Sequence, residues 1–239
     1  VDFSFSPEQD DLRREARAFL AANPSPTMDQ LEELGWVGIL QSDEFTFVDA
    51  AVIFEELGRA LYDGPYLLNE AAGGEIGSIE IDGVVPRLET VAQDDVRRRL
   101  LAGFALYQVG LGSKAIELAI EYAGQREQFG KKIGAYQAIS HSLVDGYIAV
   151  ELSRSLAYWA AWCVAEDDDQ VDLAVAAAKS QAGEAAVLAC EKSIQAHGGI
   201  GFTWEHPLHR YYKRALWLEG ALGYGREHRA GVAASLLSS

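Results

Sequence analysis

The chain has 239 residues, of which 49% are hydrophobic and 23% charged, and a formal net charge of −16. That length and apolar content are enough for a buried core and exclude a disordered chain. The negative field repels phosphate backbones and anionic lipid, which excludes nucleic acid and membrane surfaces as bulk partners and means that an anionic ligand needs a local basic pocket.

Ser6 followed by Pro7, Glu8 and Gln9 predicts a helix start, with Leu12, Ala16, Phe19 and Leu20 on one face and Asn23-Pro24-Ser25-Pro26 as its stop. A short helix is expected from Asp29 to Leu34. A third helix carries Phe47, Ala51, Phe54 and Leu61 on one stripe until Asp63-Gly64-Pro65 breaks it. Residues 1–66 therefore read as an N-terminal helical module. From Leu67 to Gln93 the helical period disappears and short runs such as Ile79-Glu80-Ile81 and Val84-Val85 alternate with glycine, so 67–93 is expected to be a β-like connector holding a hairpin at most.

After Asp94 the helical pattern returns, with Ile116, Ala119, Ile120 and Ala123 on one face and Ile139, Leu143, Tyr147 and Val150 on another. Glu166-Asp167-Asp168-Asp169 reads as a solvated turn between helices, and Gly198-Gly199 as a helix end. Residues 94–239 are expected to form an up-and-down bundle of four or five helices, which makes the fold mainly α. Cys163 and Cys190 sit in apolar helical stretches without metal or redox spacing and read as buried thiols. No run approaches the roughly 18 apolar residues of a membrane span, and the opening residues lack a basic-then-apolar leader, so a cytoplasmic location is the expectation.

Two stretches carry chemistry. In Arg126-Glu127-Gln128-Phe129-Gly130, continuing to Tyr136-Gln137, an arginine, a glycine and a glutamine surround a tight turn; the guanidinium fork suits phosphate oxygens, and the alternative is an ordinary helix end capped by glycine. In Gln195-Ala196-His197-Gly198-Gly199-Ile200-Gly201-Phe202 three positions lack a side chain, which allows close approach of a ligand or of a neighbouring helix, or simply supplies a cap. Glu205, His206 and His209 lack a third convincing ligand and read as a helix start, with no metal expected. The Trp159 and Trp162 pair reads as core or interface.

Taken together, REQFGKKIGAYQA and QAHGGIGF resemble the RxxFG and QxxGG elements of the acyl-CoA dehydrogenase family, and the likeness covers Leu100 to Arg229. SPEQDDLRREARAFL and VIFEELGRAL resemble that family's first helical domain more loosely. The resemblance implies FAD shared across a subunit interface. Arg126, Gln128 and Phe129 would face its phosphates and adenine, Gln137 would reach the cofactor, and Gln195, Gly198 and Gly199 would line the dinucleotide.

The chain also departs from the family. The family's glutamate-glycine position, where the base that removes the α-proton stands, falls on Leu222-Gly223, and the alternative base position falls near Leu100, beside Arg97, Arg98 and Arg99. Glu219, a turn before Leu222 and on roughly its face, is the surviving candidate base, against the alternative of a surface glutamate beside Lys213 or Arg226. Tyr224-Gly225-Arg226 does not match the Thr-x-Glu/Gln of the family. The family's middle β domain needs roughly 50 residues or more, and the connector is too short for it.

The expectation is a short, β-domain-depleted subunit of a heteromeric α2β2 acyl-CoA dehydrogenase of the actinobacterial steroid-degradation type. A longer partner would bring the β domain and the base and bind most of the acyl-CoA, while this chain clasps the ADP half of FAD. The rival readings are a self-sufficient enzyme using Glu219 and a flavin-free interaction protein on the same fold.

Overall fold

The computed structural model describes residues 5–73 and 94–237. Among them are nine α-helices: α1 (Pro7–Ala22), α2 (Met28–Glu33), α3 (Phe47–Ala60), α4 (Tyr66–Ala72), α5 (Asp94–Gln125), α6 (Gln137–Glu166), α7 (Val171–His197), α8 (Leu208–Gly220) and α9 (Gly225–Leu237). The mainly α expectation holds, and five helices follow Asp94.

Local chemistry sets the helix starts. Ser6 and Gln9 form a reciprocal capping box on α1, with Gln9 N–H donating to Ser6 Oγ at 3.2 Å and Ser6 N–H donating to Gln9 Oε1 at 3.1 Å. Thr27 with Gln30 caps α2 in the same way, and at the start of α3 the Asp49 carboxylate accepts from Thr46 N–H at 2.7 Å and from the Thr46 hydroxyl at 2.8 Å. The expected connector is corrected at its first residues, because Tyr66–Ala72 is helix and mostly buried. Leu67-Leu68-Asn69-Glu70-Ala71-Ala72 are good helix formers, but about two turns are too few to display a 3.6-residue period. Gly73, at φ 72°, ends α4 in the left-handed conformation that glycine tolerates. The remaining connector runs, Ile79–Ile81 and Val84-Val85, lie outside the described residues.

Helices α5, α6 and α7 pack on one another, α3 lies along α5, α1 covers α3, and α8 and α9 lie on α7. One continuous apolar cluster runs from Ala16 to Leu222, so the N-terminal helices and the bundle share a core. The seam between α3 and α5 is a backbone contact. A Cβ on Gly58 would lie 1.9 Å from the Tyr107 carbonyl oxygen, and one on Gly110 would lie 1.8 Å from that of Glu55. Buried carboxylates tie α3 to its other neighbours: Glu55 pairs with Arg154 of α6 and accepts from Tyr158 Oη of the same helix at 2.7 Å, while Glu56 accepts from Arg17 Nη2 of α1 at 2.6 Å. Both cysteines are buried free thiols, with burial pushing the Cys163 thiol up to about 11.

The apolar pattern on α6 differs from expectation at one residue. Leu143 and Val150 are buried, but Tyr147 is half exposed, on the side of α6 that carries Val144, Ile148 and Leu152. These three residues recur every four positions and form an outward apolar stripe. Among the described residues no helix is long and apolar enough to cross a membrane.

Candidate functional site

The two motifs meet at one end of the bundle. Helix α5 stops at Gln125, Arg126 N–H donates to the Tyr122 carbonyl at 2.8 Å, and the chain turns through a hairpin pairing Glu127–Gln128 (β1) with Lys131–Lys132 (β2). Phe129 and Gly130, at φ 53° and 80°, are the two left-handed residues such a tight hairpin turn requires. Gly130 therefore belongs to the hairpin and not to a helix cap. Ile133 N–H donates to the Arg126 carbonyl at 2.9 Å, which closes the hairpin back onto the helix end.

The second motif ends α7. Gly198 caps it at φ 64° and ψ −141°, a conformation open essentially to glycine alone, and a Cβ on Gly198 or Gly199 would meet nothing within 4 Å. Helix packing joins the two ends: the rings of Tyr122, in the last turn of α5, and His197, the last residue of α7, stack with centroids 4.3 Å apart. His197 Nδ1 donates to the Ser193 carbonyl at 2.8 Å, and burial lowers the basicity of the ring. His206 sits 4.3 Å from His197; burial, and then the neighbouring imidazoles, lower its basicity too. Tyr122 and His197 were not singled out from the sequence, because an aromatic in a helix and a histidine before a glycine cap carry no signal until their rings are seen to stack.

The expected cofactor residues are found on the surface of this end. Arg126, Gln137 and Gln195 are exposed, and Arg126 makes no ion pair among the described residues. Gln128 spends its amide on the Glu127 carbonyl at 2.7 Å and accepts at its own carbonyl from Tyr136 Oη at 3.1 Å. The Phe129 ring is 91% exposed. Lys131 lies over the Tyr136 ring at 4.1 Å, so three cations, Arg126, Lys131 and Lys132, gather on a chain that is otherwise acidic. An unpaired guanidinium beside an open glycine turn, with an exposed ring at hand, fits the phosphate-bearing half of a dinucleotide; the charge comes from Arg126 and its neighbouring lysines, since α5 and α7 both end here and their dipoles present the negative end. Among the described residues no group of three His, Cys, Asp or Glu side chains is arranged to hold a metal.

The two positions at which the resemblance leads one to expect a base are apolar in space as well as in sequence. Leu222 is buried at φ 63° in the turn between α8 and α9, and Leu100 is buried in α5. Glu219 is half-buried in the last turn of α8, but the expectation that it shares a face with Leu222 is corrected. The helix stops at Gly220 and Ala221 is extended, so no helical face connects the two residues. Nor does Glu219 sit in a charge pair with Lys213 or Arg226: Lys213 lies over Trp204 at 4.8 Å, and Arg226 reaches Glu227 at 3.9 Å.

Around that turn lies a buried polar group that the sequence hid in an alanine-rich helix. Lys179, 1% exposed, donates from Nζ to the carbonyls of Leu218 at 2.9 Å and Glu219 at 3.3 Å, capping α8 with a charge of the sign its dipole favours. Burial pushes the ammonium down to about 8, partly countered by Glu219. Gln108 is fully buried nearby, with both amide atoms unpartnered among the described residues. His228 Nε2 faces the Gly223 carbonyl at 3.2 Å, and burial pushes its ring down to about 4.

Residues 98–237 match the family model described as Acyl-CoA dehydrogenase, C-terminal domain. Acyl-CoA dehydrogenase IpdE2 of Mycobacterium tuberculosis is 30% identical over 248 positions, covering 77% of this chain and 74% of the relative. Because 248 positions exceed the length of the whole chain, that relative carries residues within the aligned stretch that this chain lacks. Acyl-CoA dehydrogenase FadE27 of the same organism is 36% identical over 162 residues, covering 63% of the chain but only 43% of the relative, so the chain spans less than half of that protein. Among solved structures, the ChsE4-ChsE5 complex from Mycobacterium tuberculosis matches with a TM-score of 0.79 at 20% identity over 100% of both chains. The Tcur3481-Tcur3483 steroid ACAD G363A variant matches with a TM-score of 0.79 at 19% identity, covering 97% of this chain and 99% of the other. These likenesses establish the fold.

Proposed function

The chain belongs to the acyl-CoA dehydrogenase family, and on that premise we propose that it is a subunit of a heteromeric FAD-dependent acyl-CoA dehydrogenase that supplies the cofactor clasp and an assembly face while a longer partner supplies the base. The observation that carries this reading is an asymmetry. The end of the bundle holding Arg126 and the Gly198-Gly199 turn presents an unpaired guanidinium and an open turn, which supports a phosphate clasp, while leucines stand at 222 and 100, where the resemblance leads one to expect a carboxylate. A leucine side chain has no lone pair to take a proton, and removal of the α-proton needs a base within hydrogen-bond reach. FAD, when bound, is the hydride acceptor in α,β-dehydrogenation of a CoA thioester. In this reading Arg126 holds its pyrophosphate, with Gln128, Phe129 and Gln137 beside it, and Gln195, Gly198 and Gly199 let the dinucleotide approach the backbone.

The exposed apolar stripe of α6, with Phe129, Phe202 and Trp204 at 91%, 71% and 82% exposure, supports a partner, because so much outward apolar surface is uncommon on a monomer. A two-by-two assembly, and a bulky steroid-derived thioester as substrate, are the finer form of the proposal. They are supported by the steroid ACAD and the two-protein complex among the structural neighbours. The test is to purify the chain alone and co-expressed with longer acyl-CoA dehydrogenase chains of its own genome, measuring flavin absorbance and thioester oxidation. Stoichiometric flavin only in the co-purified pair is expected. Flavin and turnover by the chain alone, abolished by Glu219→Gln, would hand the function to Glu219, and no flavin in any pairing would leave an interaction protein.

A further inference from the structure

Helix α8 carries Arg210, Lys213 and Arg214 within five residues, at the three- and four-residue spacings that put side chains on one face. None of the three forms an ion pair among the described residues, although the chain has 36 acidic residues against 20 basic ones. The arrangement works against the helix. Like charges at these spacings repel, and Arg210 stands in the first turn, at the positive end of the dipole, where no acidic residue offsets it. A fold that only needed α8 to pack would gain by placing carboxylates there.

The three cations line a cleft of about 290 Å³ together with Leu61, Asp63 and Trp217. That volume is close to the lower end of small-ligand sites, and three positive charges face one carboxylate. The walls are fixed before any ligand arrives: Tyr211 Oη donates to the Arg59 carbonyl at 2.8 Å, tying α8 to the end of α3, and Tyr107 Oη donates to the Tyr62 carbonyl at 2.6 Å. Arg214 lies over the Trp217 ring at 5.7 Å and Lys213 over the Trp204 ring at 4.8 Å, so aromatic faces hold both cations in place without neutralising them. Leu61 lines the rim in the left-handed conformation at φ 56°, a strained backbone for a leucine.

We propose that this cleft is a second anion site, separate from the Arg126 clasp, which takes the phosphates of an adenine-nucleotide-type ligand on Arg210, Lys213 and Arg214 and its base against Trp217. Forked guanidinium groups suit adjacent phosphate oxygens, and an indole beside them offers a stacking face. The small volume, with three cations and one indole gathered around it, favours such a small molecule over an acidic protein surface, which would be recognised by a broader patch.

The experiment titrates ADP and inorganic pyrophosphate into the full chain by calorimetry at low salt. It compares the parent with Arg210→Gln/Arg214→Gln, with Trp217→Leu and with Arg126→Ala, each checked for an unchanged melting temperature. The expected result is that ADP affinity falls at least about tenfold in the double arginine variant, as loss of charge-assisted bonds requires. Trp217→Leu is expected to weaken ADP but not pyrophosphate, and Arg126→Ala to retain binding at the α8 cleft. If the double variant itself melts early, Lys213→Gln, whose side chain is exposed, takes its place with the same expectation. ADP binding that is lost only in Arg126→Ala, or equal in parent and α8 variants, would overturn the proposal. So would an affinity for pyrophosphate matching that for ADP. FAD binding by the proposed complex is expected to respond to Arg126→Ala and not to the α8 variants, so the two sites are tested separately.

Discussion

Arg126 shows how much one side chain decides. In an acidic chain an arginine usually finds a carboxylate, and Arg59, Arg98 and Arg154 each do. Arg126 follows the last residue of α5 and points its charge at solvent beside an open glycine turn. If it holds the cofactor pyrophosphate, Arg126→Ala removes a charge-assisted contact worth about 1.5–3 kcal/mol, or roughly ten- to hundredfold in FAD affinity. Arg126→Lys should restore only part of this, because an ammonium keeps the charge but loses the fork. Titrating FAD into the deflavinated heteromer, with assembly followed by light scattering, measures both. Parent-like affinity in Arg126→Ala would reduce the motif to a helix end. His228 offers a second test at this scale. Burial holds its folded-state ring near 4, below the roughly 6.5 of an unfolded histidine, so the unfolded chain binds the extra proton between these values. Its neutral form costs nothing above pH 6.5, and stability is lost as pH falls from there towards 4. Acid unfolding of His228→Gln should therefore show a shallower pH dependence across that window, by up to about 3 kcal/mol over its full width. Equal slopes in parent and variant would show that the ring charges as freely in the fold as out of it.

At the level of elements, the α3–α5 seam brings two helix backbones into contact, and glycine makes it possible. Gly58→Ala or Gly110→Ala would drive a methyl group into a facing backbone carbonyl that cannot move independently of its helix. We expect each to cost about 3 kcal/mol or more, read as a lowered denaturation midpoint with an unchanged slope. Gly124, on the same helix, has open space around a Cβ. Gly124→Ala should be neutral or stabilise by up to about 1 kcal/mol through helix propensity alone. If the three substitutions behave alike, backbone contact is not what glycine serves at the seam. The buried carboxylate of Glu55, paired with Arg154, binds α3 to α6 of the bundle, and that of Glu56, paired with Arg17, binds α3 to α1; they hold because each carboxylate has a guanidinium or hydroxyl partner in place of water.

For the whole molecule, the proposed division of labour requires a face that another chain covers. Val144, Ile148 and Leu152 present such a face on α6, with 49%, 49% and 60% of each residue exposed. Ile148→Glu with Leu152→Glu should leave the melting temperature of the isolated chain within a degree or two, since surface substitutions away from special features change stability by only about 0.5 kcal/mol. The same pair should prevent co-purification with the longer subunit, because a charge buried without a partner at an interface is strongly unfavourable. An intact complex from the double variant would mean that the stripe lies outside the interface.

The sequence by itself determined the helical fold, most helix starts and the family, because capping residues, apolar period and motif spacing act over a few residues and can be read locally. It also determined that leucine stands at positions 100 and 222, which is a matter of identity and not of geometry. Only the tertiary structure decided that Leu67 to Ala72 continue as helix, that Tyr147 faces outward, and that Glu219 and Leu222 are separated by a helix end. It alone brought Tyr122 onto His197, 75 positions away, and so joined the two motifs. It also left Arg126 and the α8 cations out of ion pairs among the described residues while burying Lys179 and Gln108. The physical reason is the same in each case: whether a polar group is paired, exposed or buried depends on which faces of distant helices meet, and no local pattern in an alanine-rich helix records its neighbours.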